Sequence, residues 1–161
     1  MHNNSASVVR SGAVGETRPS RRRRGRDAST LAILSVTDNQ PDHEQLKTML
    51  RDRWMMERVS SAVSVHAALR RRRFAVILWD SDCMGTGWQS FATDRGAGSR
   101  GSPALIVTSR TADASLWAEA LNLGAWDVLA KPFEPQEVRR VLSMAVAHAD
   151  SRVAACAAAG E

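Results

Sequence analysis

No apolar run in this chain of 161 residues approaches the length needed to cross a bilayer. Cysteine is nearly missing as well. Cys83 and Cys156 form no metal-ligand spacing, and two thiols so far apart suggest no disulfide framework, so both are expected reduced in the cytoplasm. His2, His43, His66 and His148 also lack ligand spacing. There is no Gly-x-Ser-x-Gly elbow, which argues against an α/β-hydrolase. The glycine-rich stretch 96–101 has no Gly-Lys-Ser/Thr ending and is not a phosphate-binding loop. Tyrosine is absent while tryptophan occurs five times. Trp79 and Trp126 fall in strand-like runs and are expected in the core or at a sheet edge, whereas Trp88 and Trp117 suit helix packing. No internal repeat is present.

What the chain does have is unevenly spread charge. Residues 1–29 hold seven arginines against Glu16 and Asp27, which accounts for the whole formal net charge of +5. The remainder is balanced, so the high isoelectric point says nothing about an active face. Rich in Ser, Gly, Arg and Asn, residues 1–29 are expected to be a disordered leader. Their arginines precede an apolar run that stops at Val36, too short for the core of an export signal. Nucleic acid is expected to be contacted, if at all, only through this leader. The run Arg70-Arg71-Arg72-Arg73 is expected to end a helix, where positive charge suits both the helix C-terminus and solvent.

From residue 31 onward, short apolar runs alternate with helical periodicity. Strands are expected at Leu31–Val36, Met56–Val59, Phe74–Trp79, Ala104–Thr108 and Asp127–Ala130. The second of these is poor and is placed mainly because the alternation needs one. Helices are expected from Asp42 with Leu46, Met49 and Leu50 inward, over Val63–Arg72 with Val65, Ala68 and Leu69 inward, and over Trp88–Thr93. Another runs from about Ala112 to a C-terminal glycine at Gly124, and the last from Pro135 to His148. The pattern predicts an α/β three-layer sandwich around a parallel sheet of about five strands, with one domain at 30–149. An alanine-rich tail, 150–161, is expected to be flexible and too short to be an output domain.

Polar residues stand where the strands end. Asp38 follows the first strand, Asp80 the third, Thr108 the fourth and Lys131 the fifth. In a parallel sheet those ends share one edge, where ligands and chemistry sit. A carboxylate that accepts a phosphoryl group needs a cation to shield charge and donors for the equatorial oxygens. Asp80 is the candidate nucleophile, and Thr108 and Lys131 are the candidate donors. Asp38, Asp80 and the backbone carbonyl of Asp82 are candidate ligands for Mg²⁺, a hard cation that takes oxygen donors. A polar residue at a strand end is commonplace taken singly; four on the expected strands are not.

These residues carry a family resemblance. Leu105-Ile106-Val107-Thr108-Ser109, followed by a helix, Gly124-Ala125 and Lys131-Pro132-Phe133, resembles the receiver domain of two-component response regulators across about residues 31–148. Val76-Ile77-Leu78-Trp79-Asp80-Ser81-Asp82 is similar to its phospho-acceptor strand. The resemblance implies a doubly wound, flavodoxin-like fold with strand order 2-1-3-4-5. It implies that Asp80 takes a phosphoryl group from a histidine kinase or phosphotransfer protein with Mg²⁺, and that Lys131-Pro132 is cis. It also implies a stand-alone signalling module rather than an enzyme, acting on a downstream protein or as a homodimer. The chain departs from the pattern in four places. Thr37 stands where one of two adjacent acids is usual, so weaker Mg²⁺ binding is expected. Cys83-Met84 replaces Met-Pro, the Gly85-Thr86-Gly87 loop is a residue short, and Val128 stands at the switch aromatic. Trp126 shares strand parity with Val128. Those departures favour an alternative, a pseudo-receiver that binds partners without phosphoryl chemistry.

Overall fold

Residues 32–94 and 101–158 are described by a computed structural model. Among them, five strands and six helices alternate: β1 (Ala32–Val36), α1 (Gln40–Leu50), β2 (Met55–Val59), α2 (Ala62–Arg71), β3 (Phe74–Asp80), α3 (Ser81–Met84), α4 (Gly87–Asp94), β4 (Ala104–Ser109), α5 (Ala114–Asn122), β5 (Asp127–Ala130) and α6 (Pro135–Ala158). All strand pairings are parallel and the order is β2-β1-β3-β4-β5. The expected leader at 1–29 and most of the glycine-rich stretch lie outside the described residues.

The inner strands β1, β3 and β4 are buried on both faces, as strands of a parallel sheet covered by crossover helices must be, while the edge strand β2 is partly exposed. Alternate residues along β1, β3 and β4 point to opposite sides. Leu34, Val36, Ile77, Trp79, Leu105 and Val107 pack with Val65 and Ala68 of α2, Trp88 and Phe91 of α4 and Ala120 of α5. Ile33, Val76, Leu78 and Ile106 pack with Leu46 and Leu50 of α1 and with Val138, Val141, Leu142 and Ala145 of α6. Trp79 and Trp88 are each 1% exposed. An aromatic side chain buries about 150–250 Å², roughly 4–6 kcal/mol of gross transfer free energy.

Local chemistry sets the helix ends. Asn39 caps α1 by accepting from the Asp42 amide at 3.2 Å, and Pro41 occupies the first turn, where a missing N–H costs nothing. That cap starts α1 at Gln40, two residues before the expected Asp42. Asp113 caps α5 in the same way. At the other end of α5, Gly124 takes φ +86°, with Gly124 N donating to Leu121 O and Ala125 N to Ala120 O. That is the bonding of a Schellman motif, and it needs a residue tolerant of positive φ.

Four details differ from the sequence reading. The turn after Asp80 forms a short helix, α3, that periodicity did not suggest, capped by the Asp80 side chain itself. The last helix does not stop at His148, and the segment expected as a flexible tail from 150 is helical to Ala158; alanine is the strongest helix former, so nothing in that stretch ends the helix. Trp126 does not share a face with Val128. Val128 is 1% exposed in the α2–α4–α5 layer, whereas Trp126 packs on the α6 layer with its ring 4.6 Å from His148. Strand alternation cannot relate the two, because β5 begins only at Asp127. Trp117, expected to pack, is 36% exposed on α5.

Candidate functional site

The parity that sends Ile33, Leu78, Ile106 and Leu129 toward α1 and α6 also sends the residues beyond them to one side of the sheet's carboxyl edge. Thr37, Asp80, Thr108 and Lys131 therefore converge. Asp80 and Thr108 are partners across β3 and β4, and both line a small cavity together with Thr37, Asp42 and Phe133. The Lys131–Pro132 peptide is cis, as the resemblance implied.

Lys131 is the centre of the arrangement. Its ammonium lies 2.7 Å from Asp80 Oδ1, 2.8 Å from Asp42 Oδ2 and 3.2 Å from Asp82 Oδ2, and its side chain is only 4% exposed. Asp80 is equally buried, and its other oxygen, Oδ2, accepts from the Thr37 hydroxyl at 2.8 Å. The Asp82 amide donates to Asp80 Oδ1 at 3.0 Å. The Asp82 carboxylate in turn accepts from the Ser109 hydroxyl at 2.8 Å and the Arg110 amide at 3.0 Å. Thr37 also bonds Cys83 Sγ at 3.3 Å, so the thiol sits at the rim. A surface cleft lined by Asp42, Gln45, Arg110, Lys131 and Phe133 leads to the ammonium.

Burial alone would push the Asp80 carboxyl up. Hydrogen bonds from Lys131, Cys83 and Thr37, with the Lys131 charge, outweigh it and hold Asp80 below its ordinary value. Burial likewise works to lower Lys131, but Asp42, Asp80 and Asp82 raise it above the ordinary lysine value. The pocket thus holds Asp80 ionised and Lys131 protonated. Burial and the neighbouring Asp38 carboxylate raise the Cys83 thiol, which leaves it a poor nucleophile.

Of the residues expected from sequence, the fold brings Asp80, Thr108 and Lys131 together. Asp38 follows them to the same edge but stays exposed beside Cys83. Asp82 contributes its carboxylate, where only its carbonyl was anticipated. Sequence reasoning missed Asp42 and Ser109. In the sequence Asp42 marks only the start of a helix; a carboxylate in the first turn after a strand end is the signal that points to it. Ser109 follows Thr108 directly and was seen only as part of a motif.

The expected metal set has the hard-oxygen chemistry of Mg²⁺. As it stands, with Lys131 among the carboxylates, the set is not arranged for a metal, and among the described residues no group of three His, Cys, Asp or Glu side chains is placed to hold one. Lys131 Nζ occupies the space between Asp42, Asp80 and Asp82, and Thr37 has taken the outer oxygen of Asp80.

Neither a scan against protein-family models nor a search of curated proteins finds a match. Solved structures do match. The signal receiver domain of an HD domain-containing protein from Pseudomonas fluorescens is 21% identical, covers 76% of this chain and 90% of its own, and superposes with a TM-score of 0.66. The chemotaxis response regulator CheY4 of Vibrio cholerae is 19% identical over 72% of this chain and 98% of its own, with a TM-score of 0.62. The receiver domain of the sensor histidine kinase PA1611 from Pseudomonas aeruginosa, solved with magnesium ion coordinated in its active-site cleft, is 25% identical over 73% of this chain and 98% of its own, with a TM-score of 0.61.

Proposed function

We propose that this chain, which has the fold of response regulator receiver domains, accepts a phosphoryl group on Asp80 and passes the signal on by altered protein binding. One observation carries the reading: a buried, ionised carboxylate at the sheet's carboxyl edge with a lysine ammonium 2.7 Å away. In the transfer, an Asp80 oxygen attacks the phosphorus of a phosphohistidine on a kinase or phosphotransfer protein. The new P–O bond forms as the P–N bond breaks, and the imidazole leaves with the electron pair and takes up a proton. Lys131 shields the arriving charge, while Thr108 offers its hydroxyl to an equatorial oxygen. For Lys131 to turn to the phosphoryl group it must loosen from Asp42 and Asp82. That exchange is the switch, and it pulls on β5 and on Ser109 at the start of the loop to α5. Trp117 and Leu121, exposed and four residues apart on α5, offer a face to a downstream protein. No described helix is long and apolar enough to cross a membrane, and a cytoplasmic partner kinase suits the chemistry.

Magnesium held by Asp38, Asp80 and the Asp82 carbonyl would need Asp38 to turn inward and Lys131 to leave Asp80. The test of transfer is incubation with acetyl phosphate and Mg²⁺, read by intact mass. The wild type is expected to gain one phosphoryl group and Asp80→Asn none; an unmodified wild type under conditions that label a control receiver would reject the proposal. The Thr37 hydroxyl on Asp80 favours a second reading, a pseudo-receiver that binds partners without phosphoryl transfer. In that case Asp80→Asn would leave partner binding unchanged.

A further inference from the structure

We propose that the sheet edge opposite the Asp80 pocket binds the phosphodiester backbone of nucleic acid. The register brings its parts together. Ala32 pairs with both Met55 and Phe74, so the amino ends of β2, β1 and β3 lie side by side, about 5 Å from strand to strand. The corner before β2 carries Arg51 and Arg53, and the corner before β3 carries Arg70, Arg71, Arg72 and Arg73. β1 lies between these two corners, its first paired residue Ala32 flanked by Met55 and Phe74. Runs that are separate in the sequence thus share one edge of the fold.

Little acid offsets them. Asp52 meets Arg51 at 3.8 Å and Glu57 meets Arg71 at 2.6 Å. Arg53, Arg70, Arg72 and Arg73 form no ion pair with any described residue. Arg53 rests over the Trp54 ring at 5.1 Å and Arg72 over Phe74 at 5.8 Å, which holds these side chains in place while their N–H donors stay free for an acceptor. The C-terminus of α2 accounts for Arg70 and Arg71 in its last turn. It does not account for Arg53 or Arg73, nor for two arginine corners sharing one edge.

The choice of partner follows from the side chains. The chain has 20 arginines and two lysines, one of them Lys131 in the pocket. Guanidinium groups bind phosphate bidentately, which suits a nucleic-acid backbone. A membrane surface would favour an amphipathic aromatic anchor, and at this edge Trp54 and Phe74 are both buried. Binding is expected to be independent of base sequence and steeply dependent on salt.

The test uses the full chain with a fluorescein-labelled DNA duplex, followed by anisotropy between about 50 and 200 mM salt. The combined variant Arg53→Gln, Arg70→Gln, Arg73→Gln is expected to bind about 10-fold more weakly. Its salt slope should fall by about 2–3, since each lost phosphate contact removes about 0.9. Replacing Arg140, which contacts only Met144 on its own helix α6, by glutamine should leave both unchanged, with circular dichroism checking that each variant folds. Asp80→Asn should bind as the wild type does, so failure of phosphoryl transfer leaves the result intact. The proposal is overturned if the wild type does not bind at low salt, or if the combined variant keeps the wild-type slope. Capture by phosphatidylserine vesicles without binding to the duplex would overturn it in favour of lipid.

Discussion

Lys131 sets the charge balance of the pocket, one ammonium among three carboxylates. Removing one partner of a buried ion pair leaves the others uncompensated, so Lys131→Met is expected to cost about 3 kcal/mol in urea unfolding. Asp80→Asn should cost far less, under about 1.5 kcal/mol, because Lys131 keeps Asp42 and Asp82. The pH dependence follows from the directions of the shifts. Asp80 is held low, so its contribution is present above the unfolded value of about 3.9 and disappears as pH falls through the lower folded value. Lys131 is held high, so its contribution is full below about 10.4 and disappears as pH rises through the raised value. Thr37→Asp puts a second carboxylate against Asp80. Its melting temperature should drop without Mg²⁺ and recover with it, while magnesium titration of tryptophan fluorescence should saturate at about 10-fold lower concentration than in the wild type. A melting temperature indifferent to Mg²⁺ would mean that position 37 does not control the cation.

At the scale of elements, α1 and α4 each hide a conflict between local and tertiary preference. His43 on α1 is buried, with Nδ1 lacking a hydrogen-bond partner among the described residues. Burial holds its pKa below 6.5; Glu44 pulls it up, while Arg58 and Lys47 push it down. Its contribution is therefore present above about 6.5 and lost as pH falls through the depressed value. His43→Gln should flatten the decline of the urea midpoint below pH 6.5, and an unaltered decline would assign it elsewhere. In α4, replacing a helical glycine by alanine ordinarily gains up to about 1 kcal/mol. At Gly87 a Cβ would stand 2.9 Å from the Trp79 ring, itself 1% exposed and unable to retreat. Overpacking outweighs propensity, so Gly87→Ala is expected to lower stability by about 1–3 kcal/mol.

Across the whole molecule, one sheet joins two apolar layers, and the pocket sits where the strands between them end. Leu142 lies in the α1–α6 layer, on the far side of the sheet from Trp88. Leu142→Ala should cost about 2–5 kcal/mol, with circular dichroism and tryptophan fluorescence still changing together, because the sheet couples both layers. Separate transitions would show that the layers unfold independently. The βα alternation, the inward faces of α2 and α6 and the convergence of Asp80, Thr108 and Lys131 were all legible in the chain. Each depends on periods of 2 and 3.6 residues and on the shared direction of parallel strands, which are local properties. Even β2, placed for want of a better strand, formed where the alternation required it, as an edge strand with its carboxyl end tied by Thr37 N to Val59 O. Asp42 reaching Lys131, Trp126 turning from Val128 toward His148, and the arginine corners meeting beside β1 were not legible. These depend on which side chains from distant segments become neighbours, and long-range packing decides that.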